Sequence, residues 1–78
     1  MGRDKMKEKA QEILLCGPEK LEEQEIAELD AMYYRNKDRG GGALIVDSSG
    51  GVLFVDPFFV EFEDHMKRFA AGERSVFE

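Results

Sequence analysis

The sequence is poor in the residues that usually stabilise or equip a small protein: one cysteine, one histidine, two prolines and no tryptophan in 78 residues. A single cysteine, Cys16, rules out an internal disulfide. With His65 as the only histidine, a closed structural zinc site, which takes four Cys or His ligands, is also out of reach. No apolar run approaches the ~20 residues that cross a bilayer. Met1-Gly2-Arg3-Asp4-Lys5 is charged and lacks the apolar core of a secretory signal behind it. With the lone cysteine, this points to a cytoplasmic protein. Bases are outnumbered, 11 against 17 acids, for a net charge of −6. Such a surface repels phosphate backbones and anionic membranes, which speaks against direct nucleic-acid binding.

A chain of this length forms one domain and buries only about 60% of its unfolded surface. With disulfides and metals set aside, oligomerisation is the remaining support for so small a core.

The apolar residues follow a readable pattern. Met6, Ala10, Ile13 and Leu14 share one helical face, which predicts a helix over Arg3 to Cys16, capped by Gly17 and stopped by Pro18. Ile26, Leu29 and Tyr33, widened by Leu21, Met32 and Tyr34, predict a second helix from Pro18 to about Asn36. Its acids lie early and its bases late, as the helix dipole favours. Residues 1–37 are thus expected to form a helical pair. Residues 43–56 form a β-hairpin, Ala43 to Asp47 and Val52 to Asp56, around Ser48-Ser49-Gly50-Gly51. Both faces of this hairpin are apolar, so both must be covered. Asp56 and Pro57 then open a C-terminal helix over 57–71, with Val55 stapled to Val60 and Phe59, Phe62, Met66 and Phe69 as its stripe. Glu61, Asp64, His65 and Arg68 are expected on its opposite face, and 72–78 is a tail. The fold class is α+β, helix-helix-strand-strand-helix, with helices packed on the hairpin. Two strands are few for a stable sheet, so a homodimer is expected to extend it.

Signals for chemistry are thin. Glu61 and His65, four apart with Asp64 between, are the only metal-like pair, and a catalytic zinc takes three protein ligands. Cys16 lies at the negative end of a helix, which raises a thiol pKa rather than activating it. Gly40-Gly41-Gly42 follows a helix and precedes a strand, the wrong polarity for a phosphate loop. Tyr33-Tyr34-Arg35-Asn36-Lys37-Asp38-Arg39 is the one basic, aromatic cluster. No catalytic residue, cofactor or metal site is assigned.

Ile45-Val46-Asp47, Gly50-Gly51, Leu53-Phe54 and Asp56-Pro57-Phe58 give Ala43 to Asp64 a pattern that resembles the opening of a PAS sensor domain. The resemblance covers less than a third of the chain. It implies local convergence or at most a truncated relative, because no sequence is left for the three further strands and the ligand cavity of that fold. It carries over no binding residues.

The function that fits these features is non-enzymatic protein binding by a small acidic regulator, inhibitor or accessory subunit. Six phenylalanines exceed what so small a core readily hides. Tyr33, Tyr34, Phe58 and Phe77, with Val52 and Phe54 on the hairpin, are the expected interface. Glu19, Glu22, Glu23, Glu25, Glu28 and Asp30 form an acidic surface that steers association. The alternative reading makes that surface a phosphate mimic, in an inhibitor of a nucleic-acid-handling complex. A small metal-binding protein is a third.

Overall fold

The computed structural model describes residues 2–38 and 42–75. Helix α1 (Arg3–Leu14) and helix α2 (Phe62–Ala70) lie on opposite faces of one antiparallel sheet. Its strands, β1 (Leu21–Ile26), β2 (Ala31–Asn36), β3 (Ala43–Asp47) and β4 (Val52–Val55), run side by side in chain order. The architecture is α+β, with an apolar layer on each side of the sheet.

The β3–β4 hairpin forms as its sequence predicts. Ala43 pairs with Val55, Ile45 with Leu53 and Val46 with Val52. Ala43, Leu44, Ile45 and Val46 are all fully buried. Alternation along the strands sends Leu44, Val46 and Val52 toward α1, where they meet Met6, Ala10 and Leu14. Ala43, Ile45, Leu53 and Val55 face the other way, onto Phe69 and, less deeply, Phe62 and Met66 of α2. Residues apolar on both faces have found a layer for each face. The turn is fixed by Asp47, whose Oδ1 accepts from the Ser49 N–H, the Ser49 hydroxyl and the Gly51 N–H at 2.9, 2.7 and 2.8 Å. Gly50 sits at φ 93°, a conformation open to glycine at little cost.

The expected second helix is instead the β1–β2 hairpin. Leu21 to Ile26 pair with Asn36 to Ala31 around Ala27–Leu29, which turn as a short 3-10 segment, and Asp30 takes the left-handed conformation at φ 50°. Its glutamates favour helix intrinsically, but β2 completes β3: Met32 lies against Val46 and Tyr34 against Leu44. Pairing onto a buried strand outweighs local propensity. The sheet therefore reaches four strands within one chain, the number expected to need two copies.

Two element ends also differ from expectation. The left-handed cap of α1 is Leu15 at φ 54°, not Gly17, which is extended at φ −79°. The C-terminal helix begins at Phe62, not Pro57. Asp56 does accept from downstream amides, through Oδ1 from Phe58 and through its carbonyl from Phe59 and Val60. Those bonds close a turn, and Glu61 becomes the N-cap of α2. The face α2 turns to the sheet is Phe62, His65, Met66 and Phe69, so His65 belongs to the buried face and not to the solvated one.

Candidate functional site

Helix α1 lies chiefly over β2 and β3, and α2 over β3 and β4. Over β1 the cover is confined to its ends, where Leu21 joins the α1 layer and Ile26 the α2 layer, so the surface is asymmetric. The two features that stand out, an aromatic turn and an acidic edge, both follow from that arrangement.

The aromatic turn is Asp56 to Val60. Asp56 and Pro57 lock a tight reversal, and the two residues at its tip project outward. Phe58 and Phe59 are 84% and 83% exposed. Their rings pack edge to face, centroids 6.0 Å apart, a favourable aromatic geometry. The turn sits at the end of the sheet where Val55 pairs with Ala43 and Leu21 with Asn36. The C-terminus of α1 reaches the same end, since the Asn36 side-chain amide donates to the Leu14 carbonyl at 3.3 Å. Leu15, 88% exposed, therefore shares that end with the phenylalanine pair.

The acidic edge is β1. Glu22, Glu23, Gln24 and Glu25 are all exposed between buried Leu21 and Ile26. Glu22 pairs with Arg35 across the ladder at 2.6 Å, and Glu25 with Arg3 of α1. Glu19 precedes the strand, and Glu28 and Asp30 lie in the turn after it. The six acids thus spread over an edge strand, both its faces and its flanking turns, rather than along one helical face.

The opposite edge of the sheet is covered. Ser75 donates its N–H to the Val52 carbonyl at 2.8 Å, and its hydroxyl accepts from the Phe54 N–H at 2.8 Å. Arg74 anchors this segment through Nε and Nη2 to Asp47 Oδ2, at 3.1 and 3.0 Å, and through Nη1 to the Phe69 carbonyl at 2.9 Å. Its guanidinium lies 3.6 Å from the Phe69 ring centroid. Burial pushes the Asp47 carboxyl up, but bonds from Ser49, Gly51 and Arg74 outweigh it and hold the pKa at about 2.

The other expected interface residues are dispersed. Tyr34 is 1% exposed in the α1 layer. Its neighbour Tyr33 points to the opposite face, half-buried, edge-on to Phe62 at 4.8 Å and to His65 at 5.9 Å. The basic, aromatic cluster is therefore split between two sides of the sheet. Val52 is buried, Phe54 is 37% exposed, and Phe77 lies outside the described residues.

His65 and Cys16 are both occupied structurally. His65 is 1% exposed and its Nε2 lies 2.7 Å from the Leu53 carbonyl. Burial lowers its pKa, more than the Leu53 bond raises it, so the ring is neutral at pH 7 and donates from Nε2. Its inward aim separates it from Glu61, which is exposed. Among the described residues, no group of three His, Cys, Asp or Glu is placed to hold a metal ion. Partial burial, then the carboxylates of Asp38 and Glu19, push the Cys16 thiol up. The neutral thiol is the favoured form at pH 7. No helix among the described residues is long and apolar enough to cross a membrane.

Sequence reasoning missed Phe59 and Leu15 as surface residues and Arg74 as the anchor of the covered edge. Phe59 was legible in principle, because Asp56-Pro57 also starts a self-contained turn. Leu15 and Arg74 carried no local signal. The PAS-like stretch keeps its hairpin and following turn, but two strands precede it and β2 occupies the far side of β3. No protein-family model, curated protein or solved structure matches this chain.

Proposed function

We propose that this chain works by binding another protein, as a small regulator, inhibitor or accessory subunit without chemistry of its own. The supporting observation is the Phe58–Phe59 pair. The chain sets two large apolar side chains side by side in water on a turn held by three hydrogen bonds that Asp56 accepts from the Phe58, Phe59 and Val60 amides. Burying one such ring against a partner contributes roughly 1.5–3 kcal/mol. Aromatic anchors on a pre-formed turn lose little entropy on docking, and interfaces are enriched in them. Leu15 is a further exposed apolar side chain at the same end of the sheet, and the acids of β1 favour a basic partner on approach.

The test is a comparative pull-down from the native host. Wild-type protein is set against the Phe58→Ser/Phe59→Ser double variant, with melting temperature as the control for folding. A partner retained by wild type and lost by an equally stable variant supports the reading. The same partners retained by both would remove its basis.

A further inference from the structure

Strand β1 has an open side. The Asn36 N–H donates to the Gly42 carbonyl at 3.1 Å, and the Lys37 N–H to the Lys20 carbonyl at 2.8 Å. Backbone groups in an antiparallel ladder alternate between its two sides. The bonds of β1 to β2 therefore come from Glu22, Gln24 and Ile26, and the N–H and C=O of Glu23 and Glu25 point outward. Among the described residues, no backbone bond reaches those outward groups. The other edge of the sheet, at β4, is already taken by Ser75. One strand-length template is left.

The side chains around that template define what fits it. On the α1 face, Glu23 and Glu25 project beside the edge, both exposed, Glu25 in an ion pair with Arg3 that a strand cation would join or displace. On the α2 face lies an open groove of about 250 Å³, lined by Glu22, Glu23, Gln24, Tyr33, Arg35 and Phe62. Tyr33 and Phe62 give it apolar rings, and Arg35 pairs with Glu22, which leaves Glu23 as its acid at the strand edge. An added strand places alternate residues on the two faces. Those beside Glu23 and Glu25 would be cationic, and those between them apolar, over Tyr33 and Phe62. A second copy of this chain does not meet the requirement. Antiparallel self-pairing sets Glu23 opposite Glu25 or the partner copy's own Glu23 on one face, and like charges across a ladder repel.

We infer that β1 is a docking edge for an extended segment of another protein in which Lys or Arg alternates with apolar residues, added as a fifth strand. This rests on the protein-binding reading and gives it a second surface, apart from Phe58 and Phe59.

The experiment titrates the ¹⁵N-labelled full chain with the peptide acetyl-Lys-Val-Lys-Val-Lys-Val-amide, followed by amide shifts and hydrogen exchange. Binding should shift and protect the Glu23 and Glu25 amides and weaken severalfold between 50 and 200 mM salt, as exposed charges are screened. The Glu-Val alternating peptide, and a Lys-Val peptide N-methylated on alternate residues, should each bind at least tenfold more weakly. Glu23→Pro removes an outward N–H and the Glu23 carboxylate but no bond to β2, at a site where an edge strand tolerates proline. It should weaken binding about tenfold and leave the β2 ladder protected from exchange. Should Glu23→Pro disturb the ladder, Glu23→Lys/Glu25→Lys serves instead, and should favour the acidic peptide. The inference is overturned if no shifts appear at 1 mM peptide, or if N-methylation has no effect. It is also overturned if shifts are confined to residues 56–60, which would leave the reading based on Phe58 and Phe59 standing.

Discussion

The two hairpins of this protein are built alike and placed differently. Both are short antiparallel pairs joined by tight turns, and each ends beside a helix. In β3–β4 nearly every side chain is buried, because α1 and α2 overlap across β3, and the outer edge carries Ser75 and Arg74. In β1–β2 only the inner strand is enclosed. Glu22 to Glu25 meet the helices only at their margins, through Arg3 of α1 and Phe62 of α2, so all four are exposed on a strand whose ends, Leu21 and Ile26, are buried. Position relative to the covering layers, more than strand character, decided which residues each hairpin could use. The acids on β1 also suit an edge in another sense, since charge on an exposed strand discourages indiscriminate aggregation.

The contrast is most exposed to failure in the core. Ile45→Ala, at a fully buried position, is expected to cost about 2–5 kcal/mol, a large share of the stability of so small a domain. Glu23→Ala on β1 should stay within about 0.5 kcal/mol. Urea midpoints at unchanged slope measure both, and similar costs for the two would erase the distinction between the hairpins.

Asp47 tests how far the covered edge depends on its anchor. Its carboxyl has a folded pKa of about 2 against an ordinary 3.8. A depressed acid stabilises the fold above its unfolded value and loses that contribution as the pH falls. Asp47 should therefore supply about 2 kcal/mol above pH ~4, fading as the pH falls to 2. Asp47→Asn should lower stability by a similar amount at pH 7 and flatten its pH dependence between 4 and 2. A variant as acid-sensitive as wild type in that window would show that other carboxylates carry the effect.

Where α1 hands over to the first hairpin, Leu15 holds a left-handed backbone and an exposed side chain. Leu15→Gly should relieve the crowding at Cβ and raise stability by about 1 kcal/mol, seen as a higher melting temperature. A decrease would mean that Leu15 makes contacts its exposure conceals. Smallest is the Glu22–Arg35 pair at the solvent edge. Glu22→Ala should change stability by no more than about 0.5 kcal/mol, and a salt titration of the melting temperature should show little difference from wild type.

Legibility in the sequence followed the same division. Met6, Ala10, Ile13 and Leu14 announced α1 because one face of a helix on a sheet must be apolar at helical spacing. The β3–β4 hairpin was legible because strands covered on both sides need apolar residues at consecutive positions. β1 was not, since a strand covered only at its two ends, Leu21 and Ile26, has no alternation to detect, and its glutamates read as a helix. His65 was placed on the wrong face because a polar ring looks solvent-facing until a carbonyl, here that of Leu53, is found to meet it. Of the candidate surface, Phe58 was legible from its offset against the helical stripe. Tyr34 was not, because its burial depends on β2 lying under α1.

By itself the sequence determined that the chain is acidic and α+β, that residues 43–55 form a hairpin greasy on both sides, and that each side needs a cover. Those properties follow from composition and from the two-residue period of a strand, which neighbours within the chain specify. Only the tertiary structure decided that residues 21–36 are a strand hairpin, that the helices leave the middle of β1 uncovered, and that the segment through Ser75 closes one edge of the sheet while the other stays open among the described residues. Pairing between strands distant in sequence overrides local preference, and no single stretch of the chain encodes where the covering layers end.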